Sequence, residues 1–570
     1  MPKPTNPNHF PKIGFVSQNL TLALRATLLA LTIWGAYHLT AQSEANLSVE
    51  IRDAATGEIT PAMVCITSLA DHKWRTPPDG AYAPRYSRVR DFYDPAPWTP
   101  GQIGPVRLTT AKPRDNQARV PAYTGSDSYP YWHEPAAYFV PQPFSIRLPA
   151  GKYRLAVAHG PEFTPYTEEF EVPAAATLTR KIALKRWVDM PHLGWYSGDD
   201  HVHYPRLNAR QSEFLLTWAR AEDLHLANIL RMGDAKDVYF EQSAYGKDSH
   251  YQQGNYILAT GQEDPRTDIA EQGHVIALNT TAPIRDVTRY HQFDFMFDQA
   301  HAQGGLAGYA HIAWASDFYT RNNAPTKFPT WDPNIDVPRG KVDFFEILQF
   351  RHLGLEDLYD FLNLGYKVTA TAGSDFPWGS SMGEVRTYAY TGRSFSAEAW
   401  FDAVKHGHTF VTNGPMLTLT ADKLIPGDEL KFMGSRRLRI HARAWAPPEI
   451  GTPKLLEVVV NGKVVRSGTT DLDFALVISK GEWIAARVTC ENDAMAHTSP
   501  IYFYANGQTF RDQDNFAAIA KNRLDRLDYI ESRLTSDSLR AEYAPEQDAL
   551  RKRIAEARAE YQKLVHEGSK

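Results

Sequence analysis

Apolar and polar residues alternate over 46–72 around a Thr56-Gly57 turn, and a period of two predicts a half-buried hairpin. The same period returns at 144–158 and at 178–184. Residues 73–140, between these stretches, are rich in Pro, Tyr and Trp and show little periodicity, so 45–190 reads as a β-sandwich with one long aromatic insertion. Beyond residue 190 the pattern changes. Apolar runs at 225–230, 256–263, 273–279, 306–312, 342–348 and 367–375 predict strands. Stretches at 211–222, 287–302, 355–364 and 397–405 carry the longer helical period. Strands alternating with helices predict a parallel β/α unit over 191–420, and this many units favour a barrel over an open sheet. Alternation resumes at 455–465, 483–488 and 500–504, predicting a second β-sandwich over 421–510. In the last segment, 511–570, Phe516, Ile519, Leu524, Leu527, Ile530 and Leu534 form one helical stripe. Leu550, Ile554, Ala557, Tyr561 and Leu564 form another, which predicts an αα-hairpin serving as a packing element or a homo-oligomer contact.

Composition narrows the classes. A chain of 570 residues exceeds what one core supports, so several domains are expected. A net charge of −5 carries no nucleic-acid footprint. The two cysteines, Cys65 and Cys490, exclude a disulfide scaffold and a thiolate zinc cluster. Lys3, Lys12 and Arg25 precede an uncharged, mostly apolar run over 26–39 that ends in Thr40-Ala41. This reads as a secretory signal over 1–41 and a periplasmic or secreted protein, with an uncleaved membrane anchor as the alternative. The run, at about 14 residues, is short for a transmembrane helix.

The stretch Gly198-Asp199-Asp200-His201-Val202-His203 opens the β/α unit. On a strand, residues i and i+2 share a face, so His201 and His203 aim two imidazoles at one point. Other metal-capable residues fall at or beside the ends of predicted strands. Glu263 closes YILATGQE, His274 opens GHVIALN, His311 ends GGLAGYAH and Asp375 ends KVTATAGSD. Taken singly, Glu263 reads as a cap, His274 as a core histidine and Asp375 as a helix N-cap. Together, imidazoles and carboxylates at strand ends form a recurring kind of hydrolytic metal site.

In this order the motifs D-x-H-x-H, G-x-E, G-H-V-x-A-L, G-G-L-x-x-x-A-H and G-S-D resemble the polymerase-and-histidinol-phosphatase (PHP) superfamily. Phrases at 148–166, 197–206, 372–388, 408–417 and 496–504 are more specifically similar to its CehA/McbA branch of carbaryl-hydrolase-type metallohydrolases. The resemblance spans roughly residues 45–510. It implies a multidomain α/β plus all-β protein: a distorted (β/α)7 barrel flanked by two β-sandwiches and ending in the helical hairpin. It also implies two metal sites, with His201, His203, Glu263 and Asp375 at one, Glu263, His274 and His311 at the other, and Glu263 bridging. Three-metal members of the superfamily carry three further histidines. Here the matching positions fall in NILRMGD, at Phe376-Pro377 and at Ala209, so a third site is not expected.

The expectation is therefore a dinuclear zinc or manganese enzyme that hydrolyses an ester or carbamate bond of a small molecule. Asp375, with Glu263, would be catalytic, Asp375 taking the proton of the attacking water. Asp199 is a candidate for orienting an imidazole, and Asp234 for approaching the emptied third site. Arg231, Arg386 or the Arg351-His352 pair could serve a phosphoryl group, or simply form structural ion pairs. Two alternatives remain: a phosphoesterase using the same centre, and an exported binding protein without catalysis. His225, His291, His301, His406 and His408 read as structural. His497 closes over the site or holds a loop, and Asn413-Gly414-Pro415 makes a turn or lines the site. Trp98, Tyr123, Tyr129, Tyr131 and Trp132 make a substrate lid or a packed loop.

Overall fold

The strand Ala45–Asp53 buries Leu47, Val49 and Ile51 on one face, as the period of two requires. In the computed structural model it runs antiparallel to Phe144–Leu148 and parallel to Thr177–Leu184. The structure describes residues 44–77, 80–83, 137–140, 142–266, 272–312, 331–349, 352–376, 380–535 and 544–569. The N-terminal segment 1–41, Arg351, and the aromatic residues Trp98, Tyr123, Tyr129, Tyr131 and Trp132 lie outside them. A second sheet, ordered Ala81–Ala83, Ala137–Val140, Ala62–Ser68, Gly151–Ala158, Tyr166–Val172, shares a core with the first. Its inner strand Ala62–Ser68 is buried along its whole length. The helix Ala209–Ala221 packs on this sheet, with Trp218 stacked on Phe139 at 5.6 Å between ring centroids.

The distorted (β/α)7 barrel expected for 191–420 does not form. Strand outweighs helix, 42% against 24%, and the sheet is mixed. Trp195–His203, Leu226–Gly233 and Tyr256–Arg266 are parallel neighbours. His274–Leu278 then runs antiparallel to Tyr256–Arg266 and to Leu306–Tyr309. Phe344–Gln349 is parallel to both Leu306–Tyr309 and Thr369–Ala372. On the far side, Arg386–Tyr390 is antiparallel to Trp195–His203, and Thr409–Thr412 to Arg386–Tyr390. Chain length explains the first reversal. A parallel return needs a crossover of about a dozen residues or more, and only 267–273 separate Tyr256–Arg266 from His274–Leu278. The sheet curls, and a single bridge joins Val202 to Phe376.

Thr409–Thr412 also pairs with Met495–Thr498, so the sheet continues into the C-terminal region and, among the described residues, reaches 18 strands. There the antiparallel sheet Met416–Ala421, Arg436–Trp445, Asp471–Ile478 faces Pro453–Val460, Glu482–Cys490 and Ile501–Ala505. Leu419, Ile440, Val458, Ile484 and Phe503 fill the space between them. The helices Phe516–Leu534 and Gln547–Glu567 pair with each other and lie on Pro333–Asp336 and Leu355–Leu364. Their apolar stripes are buried within the same chain, at Leu527, Ile530, Leu550, Ile554 and Tyr561. Cys65 and Cys490 are both buried and are not joined in a disulfide. Among the described residues no helix is long and apolar enough to cross a membrane.

Candidate metal centre

Every residue of Trp195–His203 is buried. Between Asp199 and Val202 its register with Leu226–Gly233 slips by one residue, a bulge of the kind that re-aims side chains. His201 and His203 then present their Nε2 atoms 3.0 Å apart. Asp375 Oδ1 stands 3.3 Å from His201 Nε2 and 3.6 Å from His203 Nε2. The ligand atoms of these three residues all lie within 4.8 Å of one another, and so do those of Glu263, His274 and His311. Glu263 joins the two groups. Its Oε2 is 3.1 Å from His203 Nε2 and 3.7 Å from His201 Nε2. Its Oε1 is 2.8 Å from His274 Nδ1 and 3.4 Å from His311 Nε2. Each group could hold a metal ion, and one carboxylate faces both.

Two of the six residues occupy unfavourable backbone. His311 has φ 36° and Asp375 φ 49°, a conformation that costs a non-glycine residue about 1–3 kcal/mol. Hydrogen bonds fix both loops. The His311 N–H donates to Glu346 Oε2 at 2.6 Å, and the Ser374 N–H to Asp199 Oδ1 at 3.0 Å. Asp199 also accepts from the N–H groups of His201 and Gly383 at 3.1 and 2.9 Å. It therefore clamps main chain to main chain and does not orient an imidazole. Burial pushes Asp199 up to about 6, against the pull of those N–H donors.

The imidazole-orienting role falls to Glu346, which the sequence reading passed over. His201 Nδ1 donates to Glu346 Oε2 at 3.2 Å, which keeps the proton on Nδ1 and leaves Nε2 to face the other ligands. The signal was present: a lone glutamate in the apolar run FFEILQF, on a strand buried from end to end. Asp200 was missed as well, and like Glu346 it is fully buried. Burial, then the charge of Glu346, raises Asp200 well above the carboxylate norm. Burial opposes a charge on His201, but Glu346, Asp375 and Glu263 together raise it well above the histidine norm. For Glu263, burial is outweighed by His274 and His201, which hold it well below the carboxylate norm.

Other predicted residues lie elsewhere. Asp234 folds into a turn, accepting from the N–H groups of Lys236 and Asp237 and from the Tyr239 hydroxyl. Arg231 pairs with Asp264 at 3.5 Å. It is in register with Gln262, so it points to the opposite face of the sheet from Glu263. Arg386 is buried and donates to the carbonyls of Gly383, Glu222 and Asp223 at 2.7, 2.6 and 3.1 Å. His497 Nε2 and the Tyr359 hydroxyl share a hydrogen bond at 2.8 Å, tying the second sandwich to Leu355–Leu364. Asn413 accepts from the Met495 N–H and holds a turn. His274, His311 and Asp375 are the three partly exposed members of the two groups, with side chains 16%, 12% and 17% accessible, and they mark the open side.

Comparison with known proteins adds little. No family model matches the chain, and no curated protein matches it. Among solved structures, a chain from the fibronectin(III)-like modules of Clostridium thermocellum CbhA is 19% identical, over 17% of this chain and all of its own length. The TM-score is 0.13, too low to support any argument about fold.

Proposed function

We propose that this chain is a metal-dependent hydrolase that cleaves an ester or carbamate bond in a small molecule, using two divalent ions, zinc or manganese. One observation carries the reading: the two oxygens of Glu263 face two separate clusters, His201–His203–Asp375 and His274–His311. Imidazole nitrogens and carboxylate oxygens suit zinc and manganese alike. The resemblance to carbaryl-hydrolase-type enzymes supports the bond type.

When bound, such a pair of ions supplies Lewis acidity and makes hydroxide accessible near neutral pH. The chain's own residues do the rest. His201, with its proton held on Nδ1 by Glu346, keeps Nε2 directed into the cluster. Asp375 stands on the open side, where it can take a proton from an attacking water. A phenol-type leaving group needs little protonation, in keeping with a site whose acids and bases are all committed to the cluster. A phosphoester is favoured less, because Arg386 is occupied by backbone carbonyls and Arg231 by Asp264. The charged, then apolar run at 1–41 supports export to the periplasm or beyond.

The test is a substrate panel of p-nitrophenyl acetate, a naphthyl carbamate and p-nitrophenyl phosphate, run on the zinc- and manganese-loaded protein. Hydrolysis of the ester or carbamate, lost in Asp375→Ala, is the expected result. Turnover of the phosphate alone would select the phosphoesterase. No turnover by metal-loaded protein would leave a binding protein.

A further inference from the structure

The two ligand clusters come from opposite parts of the sheet, and besides Glu263 a second side chain touches both. Glu346 lies at the middle of Phe344–Gln349, fully buried. Its Oε2 accepts from His201 Nδ1–H at 3.2 Å and from the His311 backbone N–H at 2.6 Å. His201 belongs to one cluster and His311 to the other. The second contact also braces the unfavourable φ of 36° at His311. On the other side, Glu346 Oε1 and Asp200 Oδ1 press close to Gly373, just ahead of Asp375. A Cβ at 373 would stand 2.5 Å from Glu346 Oε1 and 2.3 Å from Asp200 Oδ1. The carboxylate is therefore buried, held at Oε2 by two donors and backed at Oε1 by Gly373, which suits a fixed acceptor and not a mobile one.

We infer that Glu346 is a positioning residue that couples the two metal subsites, one carboxylate oxygen holding a ligand of each. The inference rests on the dinuclear reading above. It implies that removing Glu346 weakens both subsites together, although Glu346 itself binds neither ion. A residue positioning one imidazole would weaken one subsite only. Orienting carboxylates of this kind are worth about 10–100-fold in metal affinity.

The experiment uses full-length protein, wild type and the variants Glu346→Gln and Glu346→Ala. Each is stripped of metal and titrated with cobalt(II) alone, reading the visible absorption, and with zinc alone against a chelating dye. Thermal unfolding of the metal-free forms identifies any variant that fails to fold, and the near-isosteric Gln variant keeps the test valid if the Ala variant does. Wild type is expected to take up two ions. In Glu346→Ala both successive affinities should fall about 10–100-fold, and the cobalt spectrum should change at both steps. Glu346→Gln, which keeps a carbonyl acceptor but no charge, should fall between. A variant that loses affinity at one step only, or at neither while wild type binds two ions, overturns the coupling role and leaves the hydrolase reading standing. Wild type that takes up no metal overturns both.

Discussion

At the scale of single residues, the site depends on carboxylates that organise imidazoles. Asp375→Ala should lower kcat about 10²–10⁴-fold, the usual cost of losing a proton acceptor, while the fold survives because Asp375 is partly exposed. Steady-state kinetics beside circular dichroism check this. Gly373→Ala tests the crowding behind the centre. Its added methyl would meet Asp200, His201 and Glu346 at 2.3 to 2.5 Å, so a loss of about 1–3 kcal/mol in stability is expected by denaturant titration. All six residues of the two candidate metal groups stand among those the sequence singles out, because i, i+2 spacing and placement near strand ends are local properties. Glu346 was not. Its role depends on the strands bearing His201 and His311 both approaching Phe344–Gln349, a long-range arrangement that a run of apolar letters does not record. Asp199 was misjudged for a related reason: three backbone N–H groups from separate loops converge on it.

At the scale of elements, the strands and helices lie close to where the hydrophobic periods put them. Leu355–Leu364 matches to the residue, and 397–405 becomes Ala397–His406. Direction was the failure. Periodicity says that a strand exists but not whether its neighbour runs with it, and the short connection before His274 reverses the chain within what was expected to be a parallel unit. The helical tail shows how an element can be recognised while its partner stays hidden. Its stripes suggested another subunit as readily as the same chain, and they lie on Leu355–Leu364. Arg523, fully buried, donates to Asn334, Asp357 and Asp360, each at 2.7 Å. Arg523→Met should therefore cost about 1–3 kcal/mol, since it takes a charged donor from Asp360 and Asn334 while Asp357 keeps Arg526 at 2.9 Å. A shift in thermal midpoint checks it, and Asp360→Asn, at the more exposed of the two carboxylates, should cost less.

At the scale of the whole molecule, buried histidines set an acid limit. Burial pushes His225 down to about 4 and, with Arg487 nearby, His497 down to about 3, against an ordinary 6.5. A histidine kept neutral in the fold is protonated more readily once unfolded, so stability falls as pH drops below about 6.5 and levels off only near the folded values. Between pH 6.5 and 5 each should contribute a loss on the order of 2 kcal/mol. His497→Gln keeps an acceptor for Tyr359, so its stability should depend less on pH over that interval than wild type. Unfolding curves at pH 5 and 7.5 for both proteins decide the matter.

In the function proposed above, the curled sheet holds two cations on either side of Glu263. The most direct measurement is metal content by inductively coupled plasma mass spectrometry, on protein purified from medium supplied with zinc and manganese, for wild type, Asp375→Ala and Glu263→Ala. About two ions per chain in wild type, fewer in Asp375→Ala and fewest in Glu263→Ala, is the expected pattern. Wild type with no ion, and none retained after incubation with either metal, would contradict it.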